Sequence, residues 1–130
     1  MTSTLATSRL HLLTGASLVL RDELLPHVLA TWQGPVKRVI EPADPARIVL
    51  DLDTPSLFDD PALWLIRCDG RYLRKHAELL LPLAGTPAVA GVVVMSLDGP
   101  DKGKAGDAVA KLMKAVDGAG AHNQADTPDA

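Results

Sequence analysis

Apolar positions along the chain fall into two rhythms, short continuous runs and stripes stepped by three or four. Leu10 to Leu13 is a short apolar run closed by Thr14-Gly15, which predicts a buried first strand ending in a tight turn. From Leu18 onward, behind Ser17 as a cap, Leu20, Leu24 and Val28 recur at four-residue spacing, and Asp22 and Glu23 sit near the start. This predicts a helix buried along that stripe. Pro26 removes one backbone donor and crowds the preceding turn, so a kink or a fresh helix start is expected there, and Trp32 falls near the end before Gly34-Pro35. Val36 to Glu41 alternates apolar and basic residues ahead of Pro42, the pattern of a strand nearer the sheet edge than the first. Ile48 to Leu52 suits a strand by its β-branched residues and a helix by its Asp44-Pro45 start; helix is the expectation, with proline at the first position.

Leu63-Trp64-Leu65-Ile66 is apolar throughout and runs through Arg67-Cys68 to Asp69-Gly70, as in a central parallel strand covered on both faces. From Arg71 to Leu83 the positions Leu73, Ala77, Leu80 and Leu81 line one side and Arg74, Lys75 and Glu78 the other, predicting an amphipathic helix stopped near Pro82. Val89 to Leu97, with Val92-Val93-Val94-Met95 at its heart, is the most β-prone run and ends at Asp98-Gly99-Pro100. A last helix is expected over Asp101 to Val116, with Ala108, Leu112 and Val116 inward and Lys104, Lys111 and Lys114 outward. Asp117 to Ala130 is small and polar, with room for one short final strand but mostly the composition of a linker or tail. Alternating strands and helices define an α/β domain with a mostly parallel sheet flanked by helices and at least four strands.

With 130 residues the chain fits one domain, and its 47% hydrophobic and 3% aromatic content makes the core aliphatic. A net charge of −3 argues against nucleic-acid binding by electrostatics alone, which needs a basic excess. The single Cys68 has no disulfide partner, the N-terminus lacks a secretory pattern, and no apolar run is long enough for a membrane helix, so a cytoplasmic setting is expected.

Chemistry-bearing motifs are sparse. Thr14-Gly15-Ala16-Ser17-Leu18 has one glycine and no lysine where a phosphate loop would lie. Gly99-Pro100-Asp101-Lys102-Gly103-Lys104-Ala105 is a defective echo: its glycines are one residue too close, Ala105 replaces the required Ser or Thr, and Pro100 removes an amide. His11, His27, His76 and His122 have no ligand spacing, and Asp51, Asp53, Asp59 and Asp60 match no calcium loop. Arg71, Arg74, Lys75 and His76 read as a solvated helix face. Cys68 reads as a small buried hydrophobe, and no nucleophile, base and orienting group assemble. No enzymatic activity, cofactor or metal is expected.

The anomaly is Asp53-Thr54-Pro55-Ser56-Leu57-Phe58-Asp59-Asp60-Pro61, which places a Leu-Phe pair, including the chain's one Phe, inside a turn composition. Such a pair either enters a partner's pocket or tucks back as a plug. Together with Leu63 to Ile66 behind it, the Leu10-His11-Leu12-Leu13-Thr14-Gly15 opening, the Leu-rich helices, the Val-rich strand and the Asp101 to Lys114 helix, this segment resembles the N-terminal domain of the bacterial DNA polymerase III clamp-loader delta subunit, over about residues 9–120.

The resemblance implies a AAA+ (P-loop NTPase-like) core without a functional phosphate loop over residues 1–120, followed by a polar tail or interdomain linker over 121–130. It implies binding to the β sliding clamp, with Leu57 and Phe58 in a hydrophobic pocket, Ser56 beside them and Thr54 and Pro55 shaping the loop, and so a part in opening the ring for loading on primed DNA. The domain itself would be non-catalytic within the polymerase holoenzyme and would meet DNA only indirectly. In the family's longer chains a C-terminal collar assembles with the other clamp-loader subunits. One departure is the absence of the glutamine that often begins the clamp-binding motif; Asp53 or Thr54 stands near that place. Two other readings compete: a small nucleotide-binding or hydrolytic protein using the Gly99 to Lys104 turn, and a structural module with the Leu-Phe pair packed internally.

Overall fold

The structure is a computed structural model and describes residues 8–14, 18–30, 32, 34–53, 62–86, 91–98, 107–118 and 122–124. The elements are β1 (Leu10–Thr14), α1 (Leu18–Val28), β2 (Val36–Ile40), α2 (Pro45–Asp53), β3 (Leu63–Asp69), α3 (Gly70–Leu80), a 3-10 turn (Leu81–Leu83), β4 (Val92–Asp98), α4 (Asp107–Gly118) and β5 (His122–Gln124). All strand pairs are parallel, and the sheet order is β2-β3-β4-β1-β5. The α/β class expected from the alternating pattern is therefore present, and β2 lies at an edge, as its basic alternation implied. Ile48 to Leu52 is helical, and α2 starts at Pro45. The short strand for which the C-terminal segment had room is β5, which pairs His122 with Leu12 and Gln124 with Thr14.

The helices divide unequally between the two faces of the sheet. On one face α2, α3 and α4 bury Ile48, Leu52, Leu73, Ala77, Leu80, Leu112 and Val116 against Leu10, Leu12, Ile66, Val93 and Met95. On the other, α1 packs Leu25 and Val28 against Leu13, Leu63, Leu65, Val92 and Val94. Since successive side chains of a strand point to opposite faces, β3 and β4 supply both layers, which is why their sequences are nearly continuous apolar runs. Covering each buried side chain removes it from water at roughly 1.5–3 kcal/mol per large aliphatic.

Of the stripe expected for α1, Val28 is buried, but its other two positions are displaced by one residue. The buried stripe runs through Arg21, Leu25 and Val28, while Leu20 and Leu24 are half-buried. The offset has an electrostatic cause: Arg21 is fully buried and is met there by Asp98 and Ser96, so a cation occupies what local hydrophobicity assigns to leucine. Pro26 neither ends α1 nor restarts it; the helix continues to Val28 with the ring exposed and close enough to the C-terminus to disturb few bonds.

Candidate functional site

Thr54, Pro55, Ser56, Leu57 and Phe58 lie outside the described residues, as do residues 15–17 of the first turn and residues 99–106 of the phosphate-loop echo. What is described is the base on which the Leu-Phe connection stands. It leaves from the end of α2, where Leu52 is buried, and returns at Ala62, directly before the fully buried Leu63 of β3. Both feet close on Gly91 at the start of β4. A Cβ placed there would fall 2.5 Å from Leu52 Cδ2 and 2.9 Å from Ala62 O, so only glycine permits this approach. Val92 N donates to Ala62 O (3.3 Å) and Leu63 N to Pro35 O (2.9 Å), which ties the returning foot to strands on both sides. The two ends of the connection are thus fixed at the N-terminal edge of the sheet.

At the opposite, C-terminal edge the side chains form a charged cluster. Arg21 Nε donates to Ser96 Oγ (2.9 Å), and its Nη2 donates to Asp98 Oδ1. Arg67 Nε donates to both carboxylate oxygens of the same Asp98 at 3.0 and 3.1 Å. One carboxylate therefore serves two guanidinium groups, and the carboxylates of Asp69 and Glu41 lie close enough to act on the neighbouring Cys68. Asp69, at the end of β3, caps α3 by accepting from Tyr72 N (2.9 Å), so strand passes into helix with no intervening loop.

The chemistry weighed from single residues finds structural explanations. Cys68 is buried, and burial followed by the charges of Glu41, Asp69 and Asp98 pushes its thiol up to about 12, against the smaller opposing effect of Arg21. Such a thiol is not a nucleophile near neutral pH. His11 is buried with Nε2 3.0 Å from Ser8 O, His27 is exposed, and His76 is half-buried against Tyr72 at a ring separation of 4.5 Å. Arg71, Arg74 and Lys75 are exposed along α3, and Asp51 is exposed on α2. Among the described residues no three His, Cys, Asp or Glu side chains gather as metal ligands, and no helix is long and apolar enough to cross a membrane.

Sequence reasoning missed the cleft between α1 and the β2 edge. About 270 Å³ in volume, it is lined by Leu18, Asp22 and Leu25 of α1, by Arg38, Val39 and Ile40 of β2, and by Leu65, Arg67 and Ser96. The one signal in the sequence was the alternation in β2, which places Val36, Arg38 and Ile40 on a common face.

No family model, curated protein or solved structure matches this chain.

Proposed function

We propose that this chain is a non-catalytic domain that binds the β sliding clamp, similar to the first domain of the bacterial clamp-loader delta subunit, and that it works in the cytoplasm in loading the clamp on primed DNA. The observation that carries the reading is the base of the connection that contains Ser56-Leu57-Phe58 in the sequence: its two feet, Leu52 and Ala62, are fixed against Gly91. A loop with anchored ends loses less entropy on docking than a free one, which favours recognition by a few side chains. The fold agrees with it. An all-parallel order in which β4 stands between β1 and β3 differs from the Rossmann and flavodoxin-like orders and fits a AAA+-like core. The lack of a lysine after Thr14-Gly15 fits a core that has lost its phosphate loop.

Leu57 and Phe58 contribute roughly 1.5–3 kcal/mol each on burial. Association costs at least about 4 kcal/mol, so Ser56, Thr54 and Pro55 and their surroundings supply the rest. A pull-down with purified bacterial β clamp tests the proposal: the wild-type chain is retained, and the variant carrying Leu57→Ala and Phe58→Ala is lost. Equal retention of the two sinks it.

A further inference from the structure

The cleft between α1 and β2 presents a second problem of coverage, independent of the Leu-Phe connection. A parallel sheet is ordinarily covered on both faces. Here α1 alone supplies the helical cover of one face among the described residues, and a helix about 10 Å wide spans only about two strands spaced roughly 4.8 Å apart. The strand left out is β2. Val36 and Arg38 are exposed, and Ile40 is 70% exposed. Beside them the walls are apolar, from Leu18 and Leu25 on α1 and Leu65 on β3.

The charge in this cleft is uneven in a way that selects an occupant. Arg38 makes no ion pair with any described residue, and Arg67 engages Asp98 only through Nε while Asp98 also serves Arg21. Of the charged groups lining the cleft, two are guanidinium groups, those of Arg38 and Arg67, and one is a carboxylate, that of Asp22. We propose that this cleft docks an amphipathic helix carrying Asp or Glu, supplied by a protein partner, with its apolar stripe on Leu18, Leu25, Leu65 and Ile40 and its carboxylates on Arg38 and Arg67. A helix fits better than an added strand because, beside Arg38, Val39 and Ile40 of β2, the lining comes from the flank of α1 and from residues of β3 and β4. The surface lies at the other end of the sheet from the feet of the Leu-Phe connection, so neither site depends on the other.

The test is an amide NMR titration of the labelled chain with a synthetic helical peptide of roughly 18 residues. It carries leucines at i, i+3, i+4 and i+7 flanked by glutamates, and its counterpart has lysine for each glutamate. The acidic peptide is expected to shift the amides of β2 and α1. Arg38→Glu, at an exposed position whose side chain makes no ion pair with a described residue, weakens binding roughly tenfold by replacing an attraction with a repulsion. Ile40→Asp weakens it as well, and Leu57→Ala with Phe58→Ala leaves it unchanged. Equal binding of the lysine peptide, shifts confined to other elements, or indifference to Arg38→Glu overturns the proposal. So does concentration-dependent self-association through the cleft, which would make a second copy the occupant, or new exchange protection along the outer edge of β2, which would mark an added strand.

Discussion

Arg21 on α1 and Asp98 at the end of β4 form an ion pair in which the cation is fully buried and the anion is partly exposed. The asymmetry determines which partner is indispensable. Asp98 retains Arg67 if Arg21 is lost, whereas the buried Arg21 loses the Asp98 carboxylate, and keeps the Ser96 hydroxyl, if Asp98 is lost. Leaving a charge buried without its counter-ion costs several kcal/mol, more than removing the pair altogether.

Asp98→Ala is therefore expected to destabilise the fold by about 3 kcal/mol, the low end for a buried pair because the Asp98 side chain is 36% exposed and already partly screened. Arg21→Leu, which fills the site with an apolar group, costs about 1 kcal/mol. Urea denaturation of the two variants measures the order, and a larger loss for Arg21→Leu contradicts it.

Cys68 supplies a chemical probe of the same region. With its thiol pushed up to about 12, it should resist an aromatic disulfide reagent at pH 8 in the native state and react at the rate of unfolding. The sign of the linkage follows. Because the folded pKa is raised above the ordinary thiol value of 9.0, the contribution to stability is complete below about pH 9 and is lost as pH rises toward 12. Tyr72, whose hydroxyl donates to Pro42 O at 2.6 Å and which burial also raises to about 12, acts in the same direction above pH 10. Rapid native-state labelling would contradict this.

His76 behaves oppositely. Burial, with Lys75 adding to it, lowers the imidazole below its ordinary 6.5, so the unfolded chain binds the proton more readily than the folded one. Its contribution is complete above about pH 6.5 and is lost as pH falls through the lowered folded value. Proton NMR of the His76 ring should give a pKa under 6.5, and Lys75→Ala should move it upward. A value above 6.5 refutes the assignment.

Gly91 is where the fold holds the base of the candidate loop. Gly91→Ala pushes a methyl group against Leu52 and the carbonyl of Ala62; Leu52 can shift, but the backbone oxygen cannot move without releasing β4 from Ala62. A loss of about 1–3 kcal/mol is expected, read by thermal or urea denaturation, together with faster amide exchange at Leu63 and Val92. An unchanged stability would show that the approach is not close.

Legibility in the sequence followed the range of the interactions. Leu10 to Leu13 and Val92 to Leu97 announce themselves because a strand covered on both faces must be apolar throughout. His122 to Gln124 is a strand by virtue of pairing with β1, which no local pattern encodes. The first two turns of the buried stripe of α1 lie one residue from the leucine pattern, which Val28 fits, because Arg21 is met in its buried site by a carboxylate 77 positions further on. The Leu-Phe segment was visible as an apolar pair in a turn composition. The cleft was not, since Arg38, Arg67 and Leu25 meet only once the sheet has formed.

The most direct measurement is a calorimetric titration of purified bacterial β clamp with the wild-type chain and with the variant carrying Leu57→Ala and Phe58→Ala. Saturable wild-type binding, weakened by ~2 kcal/mol or more in the variant and so about thirtyfold in Kd, is the predicted result. Absence of wild-type binding, or equal affinity of the two chains, contradicts the account.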